Sequence, residues 1–228
     1  MRTRAAALGL ALALAVTGCG GGEEGGAKAD PQKVLAKAKT SFDQASSVHL
    51  TMSTGSKPET GDAVLGADGT LTHQPAFDGK VKVLFKGFNT EIPIVAVDGK
   101  VYAKLPFAAS YAAIDPSEYG APDPADFADP AAGISGLLLR LDGLKQKGKT
   151  REGKQVLTTY AGTLPGTLVK PIIPSANQTG TYRTLVGIDG EGRIATLSVT
   201  GAFFSGAGDV TYDLAFDDYD KSVTIKKP

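Results

Sequence analysis

The hydrophobic pattern begins with one helix and then changes to strands. Asp30 can cap exposed backbone N–H groups and Pro31 suits the first helical turn, so a helix is predicted to begin here. From Val48 onward the apolar period becomes two, as is typical of half-buried strands. The apolar residues at helical spacing before that point are Val34, Leu35, Ala38, Phe42 and Ala45.

Two sets of alternating segments predict an antiparallel meander. Val81, Val83 and Phe85 alternate with lysines, which is a clear example of the pattern. Asp-Gly dipeptides, which tolerate the positive φ of tight turns, begin at 68, 78, 98, 142 and 189. The strands are predicted near residues 48–54, 62–72, 77–87, 90–97 and 100–105, and then near 144–150, 154–162, 181–188, 193–203, 209–217 and 222–226.

Short helices are predicted between and within these sets. Asp-Pro pairs at 115, 123 and 129 each offer a helix start, and residues 165–173 suit a short helical turn. Runs of strands with a few helices favour an α+β fold, in which helices cover one face of a large antiparallel sheet. Residues 30–228 contain no second linker-like stretch and are predicted to form one domain.

The amino-terminal residues predict a membrane-anchored lipoprotein. Residues 1–18 combine two arginines with an apolar run too short for the roughly 20 residues of a transmembrane helix, so they are interpreted as a signal peptide. Residues 16–19 resemble a bacterial lipobox, which would make Cys19 the acylated first residue of the mature chain. Residues 19–29 are Gly-rich and predict a flexible tether at the outer face of the plasma membrane.

Composition removes several classes of function. Lys+Arg and Asp+Glu both number 24, so no strong positive field favours nucleic acid as a partner. One cysteine excludes an intrachain disulfide, and two separated histidines, His49 and His73, supply no metal cluster. No cofactor is predicted.

Three local patterns resemble functional motifs. Residues 143–150 match the phosphate-loop pattern, but Gly153 and a β-branched run follow where a helix is needed, so a lysine-rich hairpin is predicted. Residues 133–136 contain Ser135 but lack the spacing of a nucleophile elbow. Asp217, Asp218 and Asp220 lack the glycine and glutamate of a calcium loop, so a solvated turn is predicted. The chain is therefore predicted not to be an enzyme.

The sequence resembles the LppX and LprG type of actinobacterial cell-envelope lipoproteins (LppX_LprAFG). The resemblance rests on the lipobox, residues 97–103 (VDGKVYA), residues 129–134 (DPAAGI) with the leucines that follow, and the late hairpin around Ile188 and Ile194. It implies a half-barrel of antiparallel strands with helices over its concave face, similar to the LolA and LolB lipoprotein carriers. Members bind multi-acylated lipids or glycolipids in that hollow and carry them across the envelope, in some cases alongside an efflux-type membrane transporter.

The resemblance also implies a lipid-cavity lining. The implied residues are Val81, Val83, Phe85, Ile92, Ile94, Val101, Ala103, Leu137, Leu138 and Leu141. Val95 and Val97 would replace Ile92 and Ile94 if the other face of that strand pointed inward, because successive residues of a strand alternate between faces. The loop from Pro106 to Asp126, with Tyr111 and Tyr119, would flank the entrance. The alternative hypotheses are a structural or transporter-associated lipoprotein without a lipid cargo and an envelope esterase that uses Ser135.

Overall fold

The computed structural model describes residues 29–59 and 61–228, and over these residues the chain forms one sheet of eleven strands. The strands are β1 (Ser47–Thr54), β2 (Ala63–Thr72), β3 (Ala76–Phe85), β4 (Phe88–Val97), β5 (Lys100–Ala103), β6 (Ala112–Ile114), β7 (Asp142–Glu152), β8 (Gln155–Pro165), β9 (Thr181–Ile188), β10 (Ile194–Gly201) and β11 (Val210–Asp217). The helices are α1 (Pro31–Gln44), α2 (Ile134–Leu137) and α3 (Gly166–Val169), with 3-10 segments at Pro116–Tyr119, Pro124–Ala128 and Leu138–Arg140.

The sheet is antiparallel throughout and remains open. Its strand order is β6-β5-β4-β3-β2-β1-β11-β10-β9-β8-β7, so β6 and β7 are its two edges. Each hairpin pairs sequence neighbours, and β1 joins the two sets by pairing with β11. The predicted α+β class, with a large antiparallel sheet and helices on one face, is confirmed.

One predicted strand is wrong and one strand was missed. Residues 222–226 form no ladder, because β11 already has β1 on one side and β10 on the other, which leaves no free edge there. β6 was missed because three residues, Ala112–Ile114, are too few to show an alternating pattern. The leader 1–18, Cys19 and the tether up to residue 28 lie outside the described residues.

Helix α1 forms as its sequence predicts. The Asp30 carboxylate accepts a hydrogen bond from the Gln32 N–H at 3.0 Å, which caps the helix, and Pro31 occupies the first turn. Leu35, Ala38 and Phe42 are buried on one stripe. This stripe packs toward β10 while the helix also contacts α2, Leu138–Arg140 and β7. Among the described residues no helix has the length and hydropathy needed to cross a bilayer.

The helices cover one face of the sheet, which we call the inner face. We call α1, Pro124–Ala128, α2 and Leu138–Arg140 the helical layer; within it Pro124–Ala128 packs on β2, β3 and β4. The inner face carries the alternating apolar residues of every central strand, and these join the helices in one continuous core. The opposite, outer face is mostly polar.

Residues 221–228 cross the outer face as a strap. The Ser47 hydroxyl on β1 donates to the Lys221 carbonyl at 2.6 Å, and the Lys227 ammonium lies 5.6 Å from the centre of the Tyr102 ring on β5. Four interstrand spacings of about 4.8 Å separate β1 from β5, so six extended residues are just long enough for a direct crossing. Val95 and Tyr102 on this face are buried, with exposed fractions of 5% and 8%.

Candidate functional site

The predicted strand residues of the lipid lining share the inner face. The register pairs Val81 with Ile92, Ile94 with Ala103, and Ala96 with Val101, and directly paired residues of antiparallel strands lie on the same face. Ile92 and Ile94 therefore face inward together with Val81, Val83 and Phe85. The alternative pair, Val95 and Val97, lies on the outer face.

These residues divide into a buried group and a half-open group. The buried group packs into the core and comprises Ile94, Val101, Ala103, Leu137, Leu138 and Leu141. The other residues lie on β3 and β4 beyond the helical layer, where Val81, Val83 and Ile92 are half-buried and Phe85 is 39% exposed. Together with Phe88, which faces Phe85 across the β3–β4 turn and is 77% exposed, the half-open residues form what we call the apolar ramp (Val81, Val83, Phe85, Phe88 and Ile92).

The ramp leads from solvent into the core. Gly79 and Ile94 follow Val81 and Ile92 on the same face, and Ile94 is only 7% exposed. The segment Pro124–Ala128 lies over this region, with Phe127 buried against it. An apolar ligand could therefore contact hydrocarbon continuously from the turn to the edge of the helical layer.

The remainder of the inner face is filled by the protein's own side chains. Tyr182, Tyr212 and Phe203 pack ring against ring, with centroids 4.7 to 4.8 Å apart in successive pairs. The Tyr212 hydroxyl donates to the Val64 carbonyl at 2.7 Å, beside a bulge in β2, and burial raises the pKa of Tyr212 to about 12. This half of the molecule is a packed core.

Two surface clefts accompany the ramp but do not coincide with it. A cleft of about 590 Å³ lies between the β4–β5 turn and the segment from Ala113 to Asp123, within the long loop predicted to flank an entrance. It borders Val101, whereas the other predicted lining residues lie elsewhere. A second cleft, of about 490 Å³, is lined by residues of β7, β8 and β9 that include Lys145, Lys147 and Arg183.

Comparison with known proteins decides the family. Residues 30–225 match the LppX_LprAFG lipoprotein family. The chain belongs to this family. Lipoarabinomannan carrier protein LprG from Mycobacteroides abscessus is 28% identical over 246 residues, which span 100% of this chain and 98% of that protein.

Solved structures of LppX_LprAFG-type proteins share the fold. The crystal structure of LprF from Mycobacterium bovis has a TM-score of 0.71 and 16% identity, covering 87% of this chain and 96% of that one. The crystal structure of lipoprotein LppX from Mycobacterium tuberculosis has a TM-score of 0.60 and 16% identity, covering 86% of this chain and 97% of that one. At these identities the likeness shows a common architecture.

Ser135 forms a buried structural contact between helices α1 and α2 of this LppX_LprAFG protein. Its hydroxyl is fully buried and donates to the Asp43 carboxylate at 2.5 Å. The Lys39 ammonium bonds the other oxygen of Asp43 and, at 2.6 Å, the Pro130 carbonyl. Because the serine donates its proton to an acceptor that is already paired with lysine, the arrangement joins α1 to α2 and presents no accessible nucleophile.

The two histidines lie in opposite environments. Partial burial tends to lower the pKa of His49, but hydrogen bonds to Asp68 at 3.0 Å and Asp217 at 2.8 Å outweigh this effect and raise the pKa. His73 lies edge-on to Phe42 at 5.4 Å, and burial lowers the pKa of this imidazole. Within residues 29–59 and 61–228 no group of three or more His, Cys, Asp and Glu side chains is arranged to hold a metal.

The phosphate-loop pattern lies entirely in a strand. Residues 143–150 belong to β7, which turns directly into β8, so the predicted lysine-rich hairpin is confirmed. Gly143 and Gly148, with φ of 62° and 150°, lie at two places where the β7–β8 register shifts. The glycines of the pattern thus accommodate bulges, and no helix N-terminus follows them.

The sequence analysis missed Phe88 and Phe107 as candidate functional residues. Phe88 follows the Lys86–Gly87 turn, and Phe107 lies in the loop after β5, where its side chain is fully exposed. An aromatic residue directly beside a tight turn is the signal that could have found Phe88. Phe107 lies in an irregular loop, where no periodicity separates exposed from buried positions.

Proposed function

We propose that this protein is a membrane-anchored carrier that binds multi-acylated lipids or glycolipids through the apolar ramp and moves them across the cell envelope. The single observation that carries the proposal is the inner-face ramp, which exposes hydrocarbon at one end and continues into the core at the other. Membership of a lipoprotein family supports it, as does the similarity to a lipoarabinomannan carrier protein. In this proposal acylated Cys19 holds the carrier at the outer face of the plasma membrane.

The energetics favour exchange with a membrane over capture from water. Three chains of about 16 carbons, at roughly 0.8 kcal/mol per CH₂, would release near 38 kcal/mol on leaving water, which exceeds the ceiling of non-covalent affinity. Transfer from bilayer to ramp moves alkyl chains between two apolar media, so its net free energy is small. Loading and release can then proceed without any chemical step, and we propose no catalytic role.

Room for the acyl chains would come from movement of the helical layer. The interior described here is occupied by the chain's own residues, and the segment over β2, β3 and β4 is the five-residue 3-10 turn Pro124–Ala128. Such turns have poorer hydrogen-bond geometry than an α-helix and are easier to displace. A lipid that enters along the ramp would lift this turn and take its place against Ile94 and Ala103.

The first test places an indole on the ramp. Val81→Trp fills the ramp at its half-buried middle, so the variant should copurify with at least about tenfold less acylated lipid than the parent chain, as measured by mass spectrometry of protein extracted from its own membrane. Lys82→Trp is the matched control, since it adds the same side chain one residue along on the outer face. Equal lipid in all three proteins would contradict the carrier proposal.

A second candidate function is a scaffold for an efflux-type transporter without a cargo. The packed interior favours this scaffold function. The aromatic half of the core is filled by the protein's own side chains, so it offers no room for a lipid cargo. A scaffold would retain its envelope phenotype in a Val81→Trp strain, whereas a carrier would lose it. Complementation of a deletion strain with the two tryptophan variants distinguishes these functions.

A further inference from the structure

The β3–β4 hairpin extends beyond β5, whereas β2 accompanies it on the other side as far as Leu84. β5 ends its pairing with β4 at Ala103 and Ile94, and one further bond, from the Lys104 N–H to the Pro93 carbonyl at 3.0 Å, completes that contact. β4 continues for residues 88–92 without β5 beside it. At about 3.4 Å per residue the hairpin extends roughly 17 Å past the end of β5.

The tip of this hairpin presents two aromatic rings to solvent. Phe85 and Phe88 are directly paired across the turn and are 39% and 77% exposed. Phe107 lies in the loop between β5 and β6, at the same end of the strands, and is fully exposed. Phenylalanine is among the most costly side chains to leave in water, so rings held at one projecting end indicate a surface that meets an apolar environment.

The tip is held in one conformation. Lys86 and Gly87 form the turn with φ of 49° and 85°, and the Lys86 N–H donates to the Asp62 carboxylate at 2.7 Å. This contact ties the turn to the segment that precedes β2. The backbone that carries the two rings is therefore already hydrogen-bonded, and insertion of the rings would need no folding of a loop.

One lysine lies directly beside the rings. The Lys86 ammonium lies 5.2 Å from the centre of the Phe85 ring, whereas Lys80 and Lys82 lie on the outer face, where they are paired with Asp68 and Glu91. Lysine stems can lie along buried rings while their ammonium groups stay among headgroups. Asp62 is the acidic neighbour of the turn, and a backbone N–H already occupies one of its oxygens.

The size of the patch favours a bilayer over a protein. A phenylalanine buries roughly 150 to 250 Å², so two partly exposed rings supply well below the roughly 800 Å² per partner of a stable protein interface. A bilayer interface needs no matching pocket and accepts aromatic rings at the headgroup boundary. We propose that the Phe85 and Phe88 tip inserts into the interface of a bilayer and so joins the apolar ramp to the acyl chains of that membrane. This inference rests on the proposed lipid traffic for its purpose.

The absence of tryptophan from the chain allows a direct test. Phe88→Trp is made in the full chain carrying Cys19→Ser, so that no acyl anchor holds the protein, and is mixed with phosphatidylglycerol-phosphatidylcholine vesicles that carry bromine on the acyl chains. The indole fluorescence should shift to the blue and be quenched. Val156→Trp is the matched control, because Val156 is also exposed, at 48%, but lies beside the β7–β8 turn at the opposite end of the strands.

Quenching of the indole at position 88, with little at position 156, supports docking by the tip. Equal quenching at both positions, or none at either, overturns it. A second variant, Phe85→Ser with Phe88→Ser, should weaken cosedimentation with the same vesicles by at least about tenfold while its circular dichroism spectrum stays unchanged, because both positions are solvent-exposed. Unchanged cosedimentation would also overturn the inference.

The two proposals fail separately in these experiments. If lipid copurifies and Val81→Trp abolishes it while position 88 is not quenched, the carrier proposal is supported and tip docking is wrong. If position 88 is quenched while no lipid copurifies from the native membrane, tip docking is supported and the carrier proposal is wrong.

Discussion

At the scale of single residues, the two histidines set opposite limits to stability. Acidic partners on β2 and β11 favour the charged form of His49, whereas burial beside Phe42 favours the neutral form of His73. A group whose folded-state pKa is raised contributes stability that is present below its unfolded pKa and is lost as pH rises through the folded value. A histidine whose folded-state pKa is lowered has the opposite effect. Its contribution to the free energy of unfolding is present above its unfolded pKa and is lost as the pH falls through its folded pKa.

We therefore expect the free energy of unfolding to be highest near the ordinary histidine pKa of 6.5. His49→Gln should flatten the decline on the alkaline side, and His73→Phe should flatten the decline on the acidic side just below pH 6.5. Urea denaturation between pH 5 and 8.5 measures both effects. A parent curve that rises steadily across this range, or one that neither substitution changes, would contradict the assignment.

Two glycines that face each other on neighbouring strands make room for an aromatic ring, which only the packing of the structure shows. Gly69 on β2 and Gly79 on β3 face each other on the inner face, and the Phe77 ring lies across them. A Cβ on Gly79 would lie 2.3 Å from the Asp68 carbonyl oxygen and 2.8 Å from the Phe77 ring. Asp-Gly pairs favour tight turns, yet both glycines lie inside strands, within the predicted ranges 62–72 and 77–87, where they make room for an aromatic ring.

At the scale of elements, the strap formed by residues 221–228 replaces a predicted strand. Its alternating residues, including Val223 and Ile225, led to the prediction of a strand, but the segment forms no strand in the structure. It crosses the strands and pairs with none of them, because the nearest strand, β11, has no free edge. Its two ends lie against Ser47 and Tyr102, and both Val95 and Tyr102 are buried on this otherwise polar face.

Deletion of residues 222–228 should therefore lower the free energy of unfolding by roughly 2 to 3 kcal/mol, since it exposes on the order of 100 Å² of apolar surface on β4 and β5. Chemical denaturation of the truncated chain measures this change. Lys226→Ala is the matched control, because it alters an exposed strap residue without shortening the strap. A truncated chain as stable as its parent would show that the strap contributes nothing to packing.

At the scale of the whole molecule, the inner face of the sheet is covered by packed side chains on one side and is partly exposed to solvent on the other. The strands β8 to β11 and β1 pack against α1 and the rings of Tyr182, Phe203 and Tyr212. The strands β3 and β4 carry the apolar ramp, and the short segment Pro124–Ala128 packs on them. Any change on lipid binding should therefore be confined to one side.

Hydrogen exchange tests this asymmetry. Amides of residues 81–92 should exchange more slowly in lipid-loaded protein than in stripped protein, because a bound acyl chain rigidifies a strand pair that has one free edge. Amides of residues 194–217 should exchange equally in both preparations, since their surroundings are already packed. Uniform protection across the sheet would indicate global stabilisation and would contradict binding at the ramp.

The sequence by itself determined the class of fold and the order of its elements. Alternation with a period of two, Asp-Pro helix starts and turn dipeptides are local signals, and they predicted α1 and ten of the strands that the structure contains. They also predicted correctly that residues 143–150 form a hairpin, because the residues after the pattern cannot form the helix that a phosphate loop requires.

Only the tertiary structure decided which apolar residues are open and which are packed. Val81 and Ile94 show the same alternating pattern in the sequence, yet Val81 lies on the half-open ramp and Ile94 is buried near the helical layer. The burial of a strand residue depends on which distant segment covers it, and the strand register does not specify that segment. The route of residues 221–228 across the outer face and the exposure of Phe88 at a projecting tip likewise follow from how distant segments meet. Local patterns fix a residue's face of the sheet, and long-range packing fixes whether that face meets protein, solvent or a ligand.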